Sequence, residues 1–206
     1  SLNLSSNANN RAVAFNLELI NANIQQLIKS FFSYNRFRGQ SISISNELDF
    51  ISENGIVDLN LNATGISNDI TGFKGTGKIK AKDKELSKLR LLGFLSKGLS
   101  ELPIPFPTGT LKFDTLEGLF ELEYDKLLFD EIVLSGLLSK IESRGTLNFV
   151  NGELDIISKV QLIGNLPIPI LKQFAKFADP ISSITEIKLT GSWSDPKWKL
   201  LIRPLE

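Results

Sequence analysis

The chain has 206 residues, 42% hydrophobic and 22% charged, the balance of a folded domain and unlike that of a disordered chain. Lys+Arg and Asp+Glu number 23 each, so no basic surplus marks a nucleic-acid binder. His and Cys are both absent. That excludes disulfides, zinc sites built on thiolate or imidazole, Cys nucleophiles and Ser-His-Asp triads, and leaves any enzyme only carboxylates, Lys, Tyr or Ser.

No stretch approaches the roughly 20 apolar residues that a membrane-spanning helix needs. No positively charged start leads into a hydrophobic signal segment. The chain opens on Ser1, and we expect a fragment or a processed form, with any anchor or export signal outside it.

Residues 1–11 are Ser/Asn-rich and read as a flexible tail or at most a weak strand; the domain proper is expected over 12–206. The first clear strand is Ala12 to Leu19, where Val13, Phe15, Leu17 and Leu19 alternate with Ala14, Asn16 and Glu18. Asn21 or Asn23 can cap a helix from Ile24 to Phe32, in which Ile24, Leu27, Ile28, Phe31 and Phe32 fall at helical spacing. A strand from Ser41 to Ile51 follows, then an Asn54-Gly55 hairpin turn and a strictly alternating strand from Ile56 to Ala63. Gly72, Gly75 and Gly77 lead into a Lys-rich strand, Gly77 to Lys82. The Leu-rich segment Leu86 to Leu102 reads as a helix ended by Pro103, Pro105 and Pro107.

Beyond Thr110 the pattern is nearly all strand: Leu111 and Phe113 alternate, as do Phe120, Leu122 and Tyr124. Leu127 to Leu134, Ile141 to Val150 and Glu153 to Ile163 follow, with turns at Asp125-Lys126, Ser135-Gly136 and Asn151-Gly152. Pro167 and Pro169 introduce a short helix, Ile170 to Phe177, and the last strands are Ile184 to Gly191 and Trp198 to Ile202. Strict period two makes Leu128, Ile132 and Leu134 face one way and Leu127, Phe129 and Val133 the other.

The expected fold is mainly β, an antiparallel meander with two or three short helices. About nine to eleven strands rarely stay flat and open, so the sheet must close, fold into a sandwich or bend into a half-pipe. Its apolar face then either packs in an ordinary two-layer core or lines a concave groove. Core side chains and acyl chains impose the same alternation, so the pattern leaves both open.

Local clusters elsewhere admit chemical readings. Gly72-Phe73-Lys74-Gly75-Thr76-Gly77 loosely matches a phosphate loop, but lacks the Gly-Lys-Ser/Thr ending and is followed by a strand rather than a helix, so glycines supplying a bend are the better account. Glu121 and Glu123 share a strand face, as a glycosidase pair would, yet they alternate with apolar residues as solvent-facing positions do. Lys78, Lys80, Lys82 and Lys84 alternate as a solvated strand does, and Trp193 and Trp198 flank Asp195-Pro196 in positions suited to packing at a sheet end.

Taken together, these elements resemble the C-terminal region of AsmA-like proteins over about residues 12 to 202. The opening strand and helix (Phe15 to Leu19, Ile24 to Ile28), the Gly72 to Ile79 hairpin and the Leu89 to Leu95 helix occur in the same order. So do Phe113 to Phe120, Ile132-Val133-Leu134, Ser143 to Leu147 and the terminal Leu189 to Trp198 segment, whose Gly191-Ser192-Trp193-Ser194-Asp195-Pro196 is the most specific piece.

The resemblance implies a curved sheet with a hydrophobic trough, in a Gram-negative periplasmic protein tethered to the inner membrane by an N-terminal helix absent here. It implies a non-enzymatic module that binds or passes phospholipid acyl chains, with no cofactor, metal or catalytic residue. The candidate lining is Val57, Leu59, Leu61, Leu111, Phe113, Phe120, Leu122, Leu147, Phe149, Ile156, Val160 and Leu162. The alternative is a scaffold for assembly of envelope proteins, acting through exposed strand edges.

Overall fold

The computed structural model describes residues 2–6, 12–27, 29–30, 54–66, 72–84, 86, 112–162, 184–192 and 195–201. They form one antiparallel sheet of ten strands whose spatial order is their chain order. The strands are β1 (Leu2–Ser6), β2 (Ala12–Asn23), β3 (Ile56–Ile66), β4 (Lys74–Lys82), β5 (Thr115–Glu123), β6 (Lys126–Ser135), β7 (Ser139–Asn148), β8 (Glu153–Leu162), β9 (Ile184–Ser192) and β10 (Asp195–Leu201). The sheet is open, with β1 and β10 at its two edges. α-Helix is confined among the described residues to 24–27 and 29–30, with Asn23 Oδ1 accepting from the Gln26 amide at 2.8 Å as an N-cap.

The two ends of the sheet differ. The connections within 24–55, 83–114 and 163–183 all leave from one end, joined there by the short β6–β7 turn. The other end carries the compact turns. Asn148 shapes one of them: its Oδ1 accepts from the Val150 and Asn151 amides at 2.9 and 3.1 Å, and Gly152 follows in the left-handed region (φ 76°).

Several sequence expectations fall differently. Residues 2–6 are a strand rather than tail, with Leu2 and Leu4 in register with Leu17 and Phe15. Gly75 and Gly77 lie inside β4 and pair with Ala63 and Leu61, so they are strand residues and not a bend before one. Thr110 to Asp114 is not the start of a strand where it is described; β5 begins at Thr115. In β6 strict alternation fails. The register shifts between Phe129 and Ile132, so Leu127, Phe129, Ile132 and Leu134 share one face and Leu128 and Val133 the other. Asp130 and Glu131 form the bulge, and both are exposed. The same irregularity shifts the β5–β6 register between Leu119 and Glu121, and a further shift lies between Leu19 and Ala22. Bulges of this kind bend strands and add twist. The strand Ser41 to Ile51, the helix Ile170 to Phe177 and, apart from Leu86, the helix Leu86 to Leu102 lie outside the described residues.

The main core sits at the end with the long connections. Val57, Ala81, Leu134, Ile141, Val160 and Ile187 form a row across the sheet, and Ile24, Leu86 and Phe113 from the connections pack onto it. A second cluster, Leu154, Ile156 and Leu189, closes against Phe129, Leu147 and Trp198.

Gly145 tests how tightly β7 and β8 approach. Its φ is +148°, and a Cβ there would meet Asp155 O at 2.1 Å. Gly145→Ala is expected to cost about 2 kcal/mol or more through backbone strain and displacement of β8, read as a lowered urea midpoint.

Candidate functional site: the apolar face of the sheet

Cross-strand partners point to the same side of a sheet, so the register identifies each face. One face carries Val13, Phe15, Leu17, Leu19 and Ala22 of β2, opposite Gly65, Ala63, Leu61, Leu59 and Val57 of β3. These continue into Gly75, Gly77, Ile79 and Ala81 of β4, then Leu122, Phe120, Gly118 and Leu116 of β5. The same face runs on through Leu127 and Leu147 to Leu154, and through Leu134 and Ile141 to Val160. It ends at Leu189 and Ile187 opposite Trp198 and Leu200. Among the described side chains of β2 to β10, this face holds no charged residue. Nine strands, β2 to β10, about 4.8 Å apart make it roughly 38 Å long across the strands.

Eight of the twelve candidate lining residues occupy one face by register: Val57, Leu59, Leu61, Phe120, Leu122, Leu147, Ile156 and Val160. The Leu162 backbone pairs with Ser139. Phe113 precedes β5 and belongs to the end cluster at 1% exposure, whereas Phe149 lies in the β7–β8 turn. Leu111 lies outside the described residues.

Coverage of the face is uneven. Over β8 and β9 the protein closes it: Leu154, Ile156, Ser158, Val160, Ile187 and Leu189 are all buried, as are Val57 and Leu122 elsewhere. Over β2 to β6 the middle of the face is only half-buried, at Leu17, Leu19, Leu59, Leu61, Ile79, Phe120 and Phe129. The Phe120 ring lies over Gly77, where a Cβ would come within 2.2 Å of it, so the glycine makes room for the aromatic ring. Ser143 and Ser158 interrupt the face midway along β7 and β8, and they satisfy each other with a 2.8 Å hydroxyl contact.

The opposite face is polar, and its charges are organised by strand. Lys74 and Lys80 of β4 meet Glu123 and Glu117 of β5 at 3.1 and 2.7 Å. Lys188 meets Asp155 at 3.0 Å between β9 and β8, and Asn16 donates to Asn62 between β2 and β3. A shallow depression of about 780 Å³ on this face, over β3 to β6, includes Asn60, Lys78, Glu121 and the exposed Leu119.

Lys80 holds the Glu117 carboxyl below the usual glutamate range by a hydrogen bond and by its charge, and Glu117 in turn raises Lys80. The stabilisation linked to Glu117 is therefore present above the ordinary glutamate pKa and fades as pH falls through the lowered value. That linked to Lys80 is present below the ordinary lysine pKa and fades as pH rises through the raised one. Both groups are solvent-exposed, so the effect on stability is small. Lys80→Ala should move the Glu117 titration midpoint up toward an ordinary glutamate, as read by carboxyl NMR.

Glu121 and Glu123, the paired acids, are exposed on the polar face, with Glu123 engaged by Lys74. The Gly72–Gly77 run opens no helix; most of it is β4. Trp198 stands on the apolar face between the two core clusters, and Trp193 lies outside the described residues. The break in β6 was detectable in sequence as two adjacent acids, Asp130 and Glu131, where alternation allows one polar residue. No helix among the described residues is long and apolar enough to cross a membrane. No protein-family model, curated protein or solved structure matches the chain.

Proposed function

We propose that the chain is a non-enzymatic lipid-binding or lipid-transfer module, in which the half-buried part of the apolar face over β2 to β6 receives acyl chains. The observation that carries this reading is the continuous uncharged face, incompletely covered at Leu17, Leu59, Leu61, Ile79 and Phe120. Each methylene moved from water onto such a surface gains about 0.8 kcal/mol, so a chain of modest length binds without any head-group contact. The face is also long enough. Its half-buried part, β2 to β6, spans roughly 19 Å across the strands, and one leaflet of a bilayer is about 15 Å of hydrocarbon.

The resemblance to AsmA-like proteins points the same way and suggests the periplasm as the setting and phospholipid as the cargo. The competing scaffold reading draws on the open edges of the sheet. The β10 edge argues against it there, because Pro196, Lys197 and Lys199 are residues that discourage strand addition.

The test is mass spectrometry of the denatured, purified protein together with uptake of a fluorescent fatty acid from solution. Bound lipid and saturable uptake are expected. A lipid-free protein that takes up no fatty acid overturns the proposal.

A further inference from the structure

The compact-turn end of the sheet presents apolar side chains to water at successive positions along one rim. Ile66 ends β3, Tyr124 lies in the β5–β6 turn and Val150 in the β7–β8 turn, exposed by 58%, 48% and 50%. The turns are tied together. The Tyr124 amide donates to Phe73 O at 2.9 Å, the Phe149 amide donates to Asp125 O at 3.0 Å, and Asn148 Nδ2 donates to Asp125 Oδ2 at 2.6 Å. Phe73 packs edge-on against Phe15 of the apolar face, with ring centroids 5.3 Å apart. The rim is thus one ledge, and the apolar face begins directly behind it at Phe15, Leu122, Leu127 and Leu147.

Tyr124 is the most informative member. Its φ is +57°, a conformation that Gly or Asn adopts at less cost in a two-residue hairpin turn. The turn therefore carries strain with an aromatic side chain at its tip, and Lys74 Nζ lies 4.3 Å from the ring centroid. A phenol with a wet hydroxyl and an apolar body suits a membrane–water interface. The charges beside it balance: Lys74 and Lys126 stand with Glu123 and Asp125. A surface with no excess positive charge has no electrostatic hold on anionic lipid.

We propose that this rim docks onto the interface of a lipid bilayer by inserting Ile66, Tyr124 and Val150, and so places the mouth of the apolar face against the acyl layer. The proposal rests on the acyl-binding reading above. Its occupant is the bilayer itself, held by burial of apolar area and not by charge.

Flotation of the full chain with phosphatidylcholine vesicles tests it. Wild type should float with the vesicles at low and high salt alike. Tyr124→Asn combined with Val150→Asp should reduce the vesicle-bound fraction about tenfold. Tyr124→Asn alone should weaken flotation without lowering the melting temperature, since Asn eases the left-handed backbone. Leu137, 87% exposed on the β6–β7 turn at the opposite end, supplies the control: Leu137→Asp should float as wild type does. Uptake of fatty acid from solution should be unchanged in all of these variants. Retained uptake without flotation of the wild type overturns the rim alone. Absent uptake in the wild type overturns the acyl-binding reading beneath it. Flotation that salt abolishes, or that the rim variants share fully, or that Leu137→Asp removes equally, overturns the rim as the contact.

Discussion

Phe113→Ala is expected to destabilise the protein by about 3–5 kcal/mol, more than any other single truncation in the core. Phe113 is 1% exposed and sits with Ile24, Leu86 and Val57 where long connections meet the sheet. Its neighbour Asp114 is pinned through both its backbone groups. The Asp83 amide donates to Asp114 O at 2.9 Å and the Asp114 amide to Ser135 O at 3.0 Å, so the segment bridges the ends of β4 and β6. Gly136 permits that approach, because a Cβ there would meet Lys112 O at 1.8 Å. A cavity in this place cannot collapse without moving several hydrogen-bonded strands, which is why the cost lies at the upper end for a large-to-small change. Phe113→Leu retains most of the volume and should cost less than about 1.5 kcal/mol. Urea denaturation of both variants checks this, and a loss below about 1 kcal/mol for Phe113→Ala would mean that the cluster does not hold the connections to the sheet.

The second large effect concerns binding and leaves stability nearly unchanged. Leu61 lies in the middle of the apolar face, between Leu17 and Gly77 in register, and is half-buried. A glutamate there places a charge where hydrocarbon would lie. Burying it costs at least about 2 kcal/mol against a bound acyl chain, or roughly a thirtyfold loss of affinity. In the free protein the carboxylate can reach water, so the fold is little affected. Thr64→Glu is the matched control, since Thr64 is exposed on the polar face opposite Lys74. Titration with a fluorescent fatty acid should separate the two variants cleanly; equal binding by both would place the ligand elsewhere.

Much of the sheet was legible because a half-covered sheet must alternate. Val57, Leu59 and Leu61 in β3 and Phe120 and Leu122 in β5 follow period two without interruption, and the register unites them on one face. The departures have definite physical causes. A bulge inserts one residue and inverts every later side chain, so strict alternation misassigned the faces of β6 beyond Phe129. Gly75 and Gly77 look like a bend in sequence, yet they are strand positions made small to admit Ala63 and Phe120. Phe113 alternates with Leu111 but belongs to an end cluster built from two connections distant in sequence, a contact that local pattern cannot reveal. Nor does alternation say how much of an apolar face the protein covers itself. Ile156 and Val160 share the face with Leu59 and Leu61, but the former are closed in and the latter half-open.

Whether hydrocarbon lies on the half-open part of this face can be read from paramagnetic broadening of methyl NMR signals by a stearate spin-labelled near its methyl end. Selective broadening of Leu59, Leu61 and Ile79 is expected, with Leu119 and Ile157 on the polar face unaffected. Broadening confined to the polar face, or none at saturating stearate, would contradict acyl binding on this sheet.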